Sequence, residues 1–310
     1  MVVSKSVTSW LKILCAFGVL LGHTFYYSEN SYLKAFVMLP PFGYFLGAVC
    51  VGIFLFLSGY GLTYSYINKK NYLSNFDKRL KSVFFPFFIC SIIYQILSCL
   101  INSIIPDLSL IIDSLAGGDT NAILPFSWYV FLQIVLYFAF YFSFRFINKL
   151  YISEVFLTIL SLFILFFLRR LNFPSYWLVA IPSFLFGSYF AYLAGRLSPK
   201  FENLIIVILI FLVIFVLILD IDIPLLNYGL FSIAIVSIIN KFLGKIPPPS
   251  FIRRLGGNYS YFIYLCQGYT VIYVDKAHAI LYVIVCIWGT FLISYILDFV
   301  YRRIFDVARN

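Results

Sequence analysis

Apolar residues run in long blocks along this chain, and polar residues collect in the short gaps between them. From Val7 to Tyr27 the only Lys, Arg, Asp or Glu is Lys12. Blocks of the same character follow at Phe42–Ile67, Val83–Ile105, Leu124–Phe146, Ile152–Leu168, Tyr176–Gly195, Leu204–Leu219, Leu225–Phe242, Tyr259–Val274 and Ala279–Tyr301. Each approaches the ~20 residues that carry a helix across a hydrocarbon core of roughly 30 Å. Short alternating segments, the mark of a membrane barrel, are absent from the pattern. Several blocks are rich in Ile, Val and Phe, which favour strands in water. In lipid, an isolated apolar segment satisfies its own backbone only by becoming helical. The pattern therefore predicts an all-α fold: a polytopic integral membrane bundle of about ten transmembrane helices. No small-residue cleavage site follows the first block, so it reads as a first helix and not as a cleavable signal.

Composition agrees. Hydrophobic residues make up 63% of the chain, charged residues 11%, and mean hydropathy is +1.00, too apolar for a soluble domain. The connections between blocks are short, so residues 1–310 are expected to form a single membrane-embedded domain with no appended soluble domain. With the amino terminus inside, only Lys34, Arg169, Arg170 and Lys276 of the 22 basic residues fall on the outer side. By the positive-inside rule both termini are expected to be cytoplasmic. The net charge of +10 then reports topology and attraction to anionic membrane lipid, and no nucleic-acid partner is expected. The longest outer connection, Pro106 to Asn121, carries Asp107, Asp113 and Asp119 and reads as an interfacial helix or a lid. All six cysteines lie within apolar blocks without metal-like spacing, and they read as small buried residues; no metal is expected.

Few residues remain that bear chemistry. The stretch Lys69 to Ser82 holds Lys69, Lys70, Lys78, Arg79 and Lys81 just ahead of the third block. It suits either a positive-inside anchor or a cytoplasmic seat for a phosphorylated ligand. Neither a Walker A motif nor G-x-G-x-x-G occurs, which argues against a nucleotide-driven motor or a dinucleotide enzyme. Ser58-Gly59-Tyr60-Gly61 is not a nucleophile elbow, and its glycines read as close helix-packing positions. His23 stands on the same expected helix as Lys12, a rise of roughly 16 Å farther along. It is either an interfacial residue in an aromatic belt or an ionisable group facing a bundle interior.

The motifs, taken together, carry a resemblance. The run Trp10 to Ala16 through Leu21-Gly22-His23 resembles the first-helix signature of the membrane acyltransferase 3 family, a basic residue, ten residues, then histidine. Gly52 to Tyr60 resembles its FFLSGY motif, and Asp77 to Phe87, with Arg79 and Pro86, its basic loop before a proline-containing helix. Ser127-Trp128-Tyr129 is similar to its fourth-helix start, and Leu255-Gly256 through Ser260 to Leu265 to its late LG-x-x-SY-x-IYL motif.

The resemblance implies an O-acetyltransferase of the bacterial inner (plasma) membrane, with acetyl-CoA as acyl donor. Its acceptor would be a sugar hydroxyl of a surface polysaccharide such as O-antigen, or of a lipid-linked precursor. His23 takes the place of the catalytic histidine, as a general base or as a transient acetyl carrier. Lys12, Lys78, Arg79, Lys81 and Ser82 are implied on the donor side. On the acceptor side we place Trp128, Tyr129, Tyr261, Tyr264 and Gln267, with Arg169 and Arg170 as contacts for an acidic sugar or phosphate. The chain departs from the family pattern at three points: Lys12 replaces an arginine, Ser82 replaces the second arginine of R-x-x-R, and Gln267 stands where many members have histidine. No carboxylate adjoins Lys12 in the first helix. A polysaccharide-unit flippase or another secondary transporter is the rival class, although the chain shows neither a large arginine-rich outer loop nor clear inverted repeats.

Overall fold

The computed structural model describes residues 2–39, 45–102, 124–147, 149–196, 198–218 and 224–307. The elements in chain order are α1 (Lys5–Tyr27), α2 (Ser31–Met38), a π-helical turn (Phe45–Val49) leading into α3 (Cys50–Asn68), and a 3-10 turn (Tyr72–Asn75) leading into α4 (Phe76–Asn102). Then come α5 (Trp128–Arg145), α6 (Leu150–Arg170), α7 (Ser175–Leu193), α8 (Pro199–Ile218), α9 (Pro224–Leu243) and α10 (Ser250–Arg254). A second π-helical turn (Leu255–Tyr259) leads into α11 (Ser260–Tyr273), and α12 (Ala279–Val307) ends the series. No strand occurs among the described residues. The protein is an all-α polytopic membrane bundle, and seven described helices are long and apolar enough to cross a bilayer. The other three apolar blocks of the sequence fall on α8, α9 and α11.

One boundary differs from the pattern. The third block was expected to begin at Val83, yet α4 starts at Phe76 and takes in Lys78, Arg79, Lys81 and Ser82. Asn71 adopts a left-handed conformation, φ +54°, which ends the preceding run and starts the turn. Asp77 then stands in the first turn of α4, where a negative charge offsets the positive end of the helix dipole. Lys and Arg are also good helix formers, so Lys78 to Ser82 are the first part of the helix and not a loop, while Lys69 and Lys70 stay in the connection before it. Pro86 is accommodated inside the same helix. The outer connection carrying Asp107, Asp113 and Asp119 lies outside the described residues.

The chain packs as two compact units, Met1–Leu11, Ala48–Arg79 and Leu132–Arg253 forming the first and Lys12–Gly47, Leu80–Phe131 and Arg254–Asn310 the second. In the first, α3 and α7 lie backbone to backbone. A Cβ on Gly59 would stand 2.1 Å from the Phe184 carbonyl oxygen, and one on Gly187 would stand 2.0 Å from that of Phe56. Glycine is obligatory at both, because lipid offers helices no hydrophobic drive to associate and close van der Waals approach must supply it. A polar cluster flanks this crossing. The Ser188 hydroxyl donates to the Glu154 carboxylate (3.0 and 2.9 Å) and is paired with Thr63. Gln133 donates to Ser58 (3.1 Å) and Tyr137 (2.8 Å). The amino-terminal residues are tied down by Val3 N–H on the Tyr60 hydroxyl (2.9 Å) and by Asn240, which accepts from Ser4 and donates to Val2.

In the second unit α11 is the central element, buried from Phe262 to Thr270 without interruption. Several of its polar groups bond to other parts of the unit. Thr270 pairs with Thr290 of α12 at 2.6 Å, the Tyr269 hydroxyl donates to the Cys90 carbonyl, and the Tyr261 hydroxyl donates to the Val83 carbonyl at 3.0 Å. All six cysteines are free; Cys15, Cys90, Cys266 and Cys286 are buried and Cys50 and Cys99 half-buried.

The glycine crossing gives a direct test. Gly59→Leu and Gly187→Val each drive a side chain into a backbone carbonyl, so both variants should fail to accumulate as monodisperse protein in detergent. Gly61→Ala, where a Cβ meets nothing within 4 Å, should accumulate like the wild type. Size-exclusion profiles of tagged membrane extracts report all three.

Candidate functional site

Four candidate residues of the second unit, His23, Tyr129, Tyr264 and Gln267, gather where α1, α11 and the turn Leu124–Ser127 meet. His23 stands near the carboxy-terminal end of the long apolar helix α1, one turn before its last residue, Tyr27. Its Nδ1 lies 3.1 Å from Oε1 of Gln267, which is fully buried on α11. The ring of Phe126 stacks on the imidazole with centroids 3.9 Å apart and planes 19° from parallel. Tyr27 also borders Phe126, at 5.5 Å, and the Lys276 ammonium stands over the Tyr27 ring at 5.8 Å.

The backbone of Phe126 is what presents this ring. Its φ is +65°, a left-handed conformation that bulky residues avoid and that costs on the order of 1–3 kcal/mol. The surrounding structure enforces it. The Tyr264 hydroxyl donates to the Phe126 carbonyl, and Pro125 seats its ring where Gly268 lacks a side chain; a Cβ on Gly268 would come within 2.9 Å of it. The Ser127 N–H closes the turn on Leu124 (3.2 Å), and Val130 N–H bonds Ser127 at 2.9 Å to start α5. Tyr264 is itself fixed by an edge-on contact with Tyr129 at 5.2 Å. Strain held this way recurs at ligand-handling sites, where it pre-sets a geometry.

The hydrogen bond between His23 and Gln267 determines which proton chemistry is open to the ring. An amide oxygen only accepts, so Nδ1 carries the hydrogen and Nε2 keeps its lone pair. Among the described residues Nε2 has no hydrogen-bond partner. The imidazole is thus arranged as a neutral base or nucleophile with its outward nitrogen available.

The sequence-derived residues divide between the two units. His23, Trp128, Tyr129, Tyr261, Tyr264 and Gln267 all belong to the second unit, and His23, Tyr129, Tyr264 and Gln267 are joined to one another directly or through Phe126. The tyrosines placed on the acceptor side have structural duties there, Tyr261 at Val83 and Tyr264 at Phe126. Lys12 is half-buried on α1. Lys78, Arg79, Lys81 and Ser82 are exposed along the first turns of α4, with the Arg79 guanidinium 6.0 Å from the Tyr137 ring. Arg169 and Arg170 lie in the first unit, exposed in the last turn of α6, with Arg170 over Phe166 at 5.6 Å. The acidic residues that follow α1 and α11, Glu29 and Asp275, are both exposed, and Asp275 caps its own turn through Ala277 N–H. Gln267 orients His23 instead. His278 is exposed in that turn. Phe126 was not singled out by sequence reasoning, since an aromatic residue after proline carries no sign of a left-handed backbone.

A family model described as an acyltransferase domain matches residues 9–299. No curated protein and no solved structure matches the chain.

Tyr264→Phe removes the donor that holds the Phe126 carbonyl and leaves a buried acceptor unpaired, a loss of about 1–3 kcal/mol. Hydrogen exchange measured by mass spectrometry should show faster exchange at the amides of Ser127 and Val130 in this variant, with α12 unchanged.

Proposed function

The chain belongs to the membrane acyltransferase 3 family, and on that premise we propose that it transfers an acetyl group from acetyl-CoA to a hydroxyl of a cell-surface or lipid-linked polysaccharide sugar. The observation that carries this reading is the bond from His23 Nδ1 to Gln267 Oε1, which leaves Nε2 as a free base inside a membrane span. A sugar hydroxyl is a poor nucleophile until its proton is taken, and a positioned imidazole supplies that step. As the sugar oxygen bonds to the thioester carbonyl carbon, its proton passes to Nε2. When the carbon–sulfur bond breaks, the proton returns from the imidazolium to the departing thiolate, so His23 ends each cycle as it began.

The donor's phosphates suit the exposed cations Lys78, Arg79 and Lys81 at the start of α4, with Ser82 as an added hydroxyl donor and Lys12 farther along the donor's path. This end of the protein is cytoplasmic in the proposed topology, in the bacterial inner membrane with both termini inside. The acceptor approaches from the outer side, toward the aromatic group of Tyr27, Phe126 and Trp128. Stacking of the Phe126 ring on the imidazole keeps His23 from rotating away from the acceptor.

His23→Ala and His23→Gln should each lower transfer by about 10²–10⁴-fold, the range for loss of general acid–base catalysis, at unchanged membrane abundance. The measurement is acetyl incorporation from labelled acetyl-CoA into surface glycan in membranes carrying each variant. A wild type that moves no label, or a His23→Ala variant that moves it at the normal rate, refutes the reading.

A further inference from the structure

Only one end of the Gln267 side chain is accounted for by His23. Oε1 receives the Nδ1 hydrogen, while Nε2, enclosed in a residue with no solvent exposure, has no hydrogen-bond partner among the described residues. Buried polar groups are nearly always paired, and one that is not calls for a specific reason such as a catalytic role. Gln267 is otherwise well anchored: its backbone carbonyl accepts from Thr270, and its neighbours Cys266 and Gly268 are buried against the same unit. The amide does not point its donor at nothing because the helix is loose.

Covalent geometry keeps Nε2 about 2.3 Å from Oε1, so this idle donor is held beside the imidazole in a fixed orientation. We propose that Gln267 Nε2 is the donor that stabilises the oxyanion of acyl transfer, hydrogen-bonding the thioester carbonyl oxygen as negative charge builds on it. This rests on the acyl-transfer reading given above. The electrons of the carbonyl π bond move to that oxygen as the sugar oxygen bonds to carbon and its proton passes to His23. They return when the carbon–sulfur bond breaks, and the Gln267 hydrogen stays on nitrogen throughout. A neutral amide suits the task in a water-poor site, since it carries no charge to desolvate and its dipole is set before the reaction begins. One side chain thereby does two things: its oxygen selects the tautomer of the base, and its nitrogen receives the charge that the base helps create.

The two roles separate by substitution. Gln267→Glu keeps an acceptor for the Nδ1 hydrogen and removes the donor, whereas Gln267→Met removes both at similar length. With Nε2 as oxyanion donor, kcat for acetyl transfer falls by about 10²–10³-fold in both variants, the usual cost of one such donor, and KM for acetyl-CoA stays near the wild-type value. If Gln267 only orients His23, Gln267→Glu retains the wild-type kcat to within about threefold and Gln267→Met alone falls; that result overturns the proposal. Should Gln267→Glu fail to accumulate in membranes, a wild-type kcat in Gln267→Met overturns the proposal, because it excludes both roles. A wild type inactive toward acetyl-CoA removes the acyl-transfer reading and this role with it, while an active wild type with an active Gln267→Glu removes this role alone.

Discussion

Inside a bilayer there is no water to finish a hydrogen bond, so every polar atom carried into the membrane must find its partner in the protein. That constraint organises the structure. It makes the apolar blocks helical, and it makes tyrosine hydroxyls reach for backbone carbonyls of other elements, as at Tyr261, Tyr264 and Tyr269. Each such bond is worth little alone, about 0.6 kcal/mol on average for pairs between membrane helices. Their value here lies in direction, because each fixes which face of α11 meets α4, α12 or the Leu124–Ser127 turn.

The same rule gives the His23 site its character. A histidine, a glutamine and a left-handed phenylalanine are each unfavourable in an apolar helical bundle. Here they offset one another: Gln267 pairs with the imidazole, Phe126 covers its face, and Tyr264 meets the carbonyl that the unusual backbone turns inward. The amide nitrogen of Gln267 is one of several buried polar side-chain atoms that have no hydrogen-bond partner among the described residues. An exception beside the candidate base has more meaning than one elsewhere in the bundle, because a reacting group must have something left to bind to.

Much of this was legible in the sequence, and the reasons are physical. Helices in lipid announce themselves by length and apolarity, so the described parts of all ten apolar blocks, a few end residues apart, fall on helices or the π-helical turns that lead into them; of the two glycines read as close packing positions, Gly59 is one and Gly61, with nothing within 4 Å of its Cβ site, is not. His23 stood out because ionisable residues are rare in this chain. Other features left no local trace. Gln267 was noted as a departure from the family pattern, yet nothing in one dimension brings it to Nδ1 of a residue on the first helix. Phe126 acquires its φ of +65° from a tyrosine and a glycine on α11, a tertiary imposition that no propensity records. The start of α4 was misplaced because a charged first turn resembles a loop when judged by hydropathy alone.

The crossing of α3 and α7 also bears on how this protein can vary over time. Gly59 abuts the carbonyl of Phe184, and Gly187 abuts the carbonyl of Phe56; in neither case does a side chain form the obstacle. A larger residue at one position cannot be accommodated by a smaller one at the other, since every amino acid presents the same carbonyl. Paired substitutions therefore offer no escape. Among descendants of a common ancestor the two glycines should be held separately, without correlated change, and this close contact of the first unit would be silent to any method that infers proximity from coevolution.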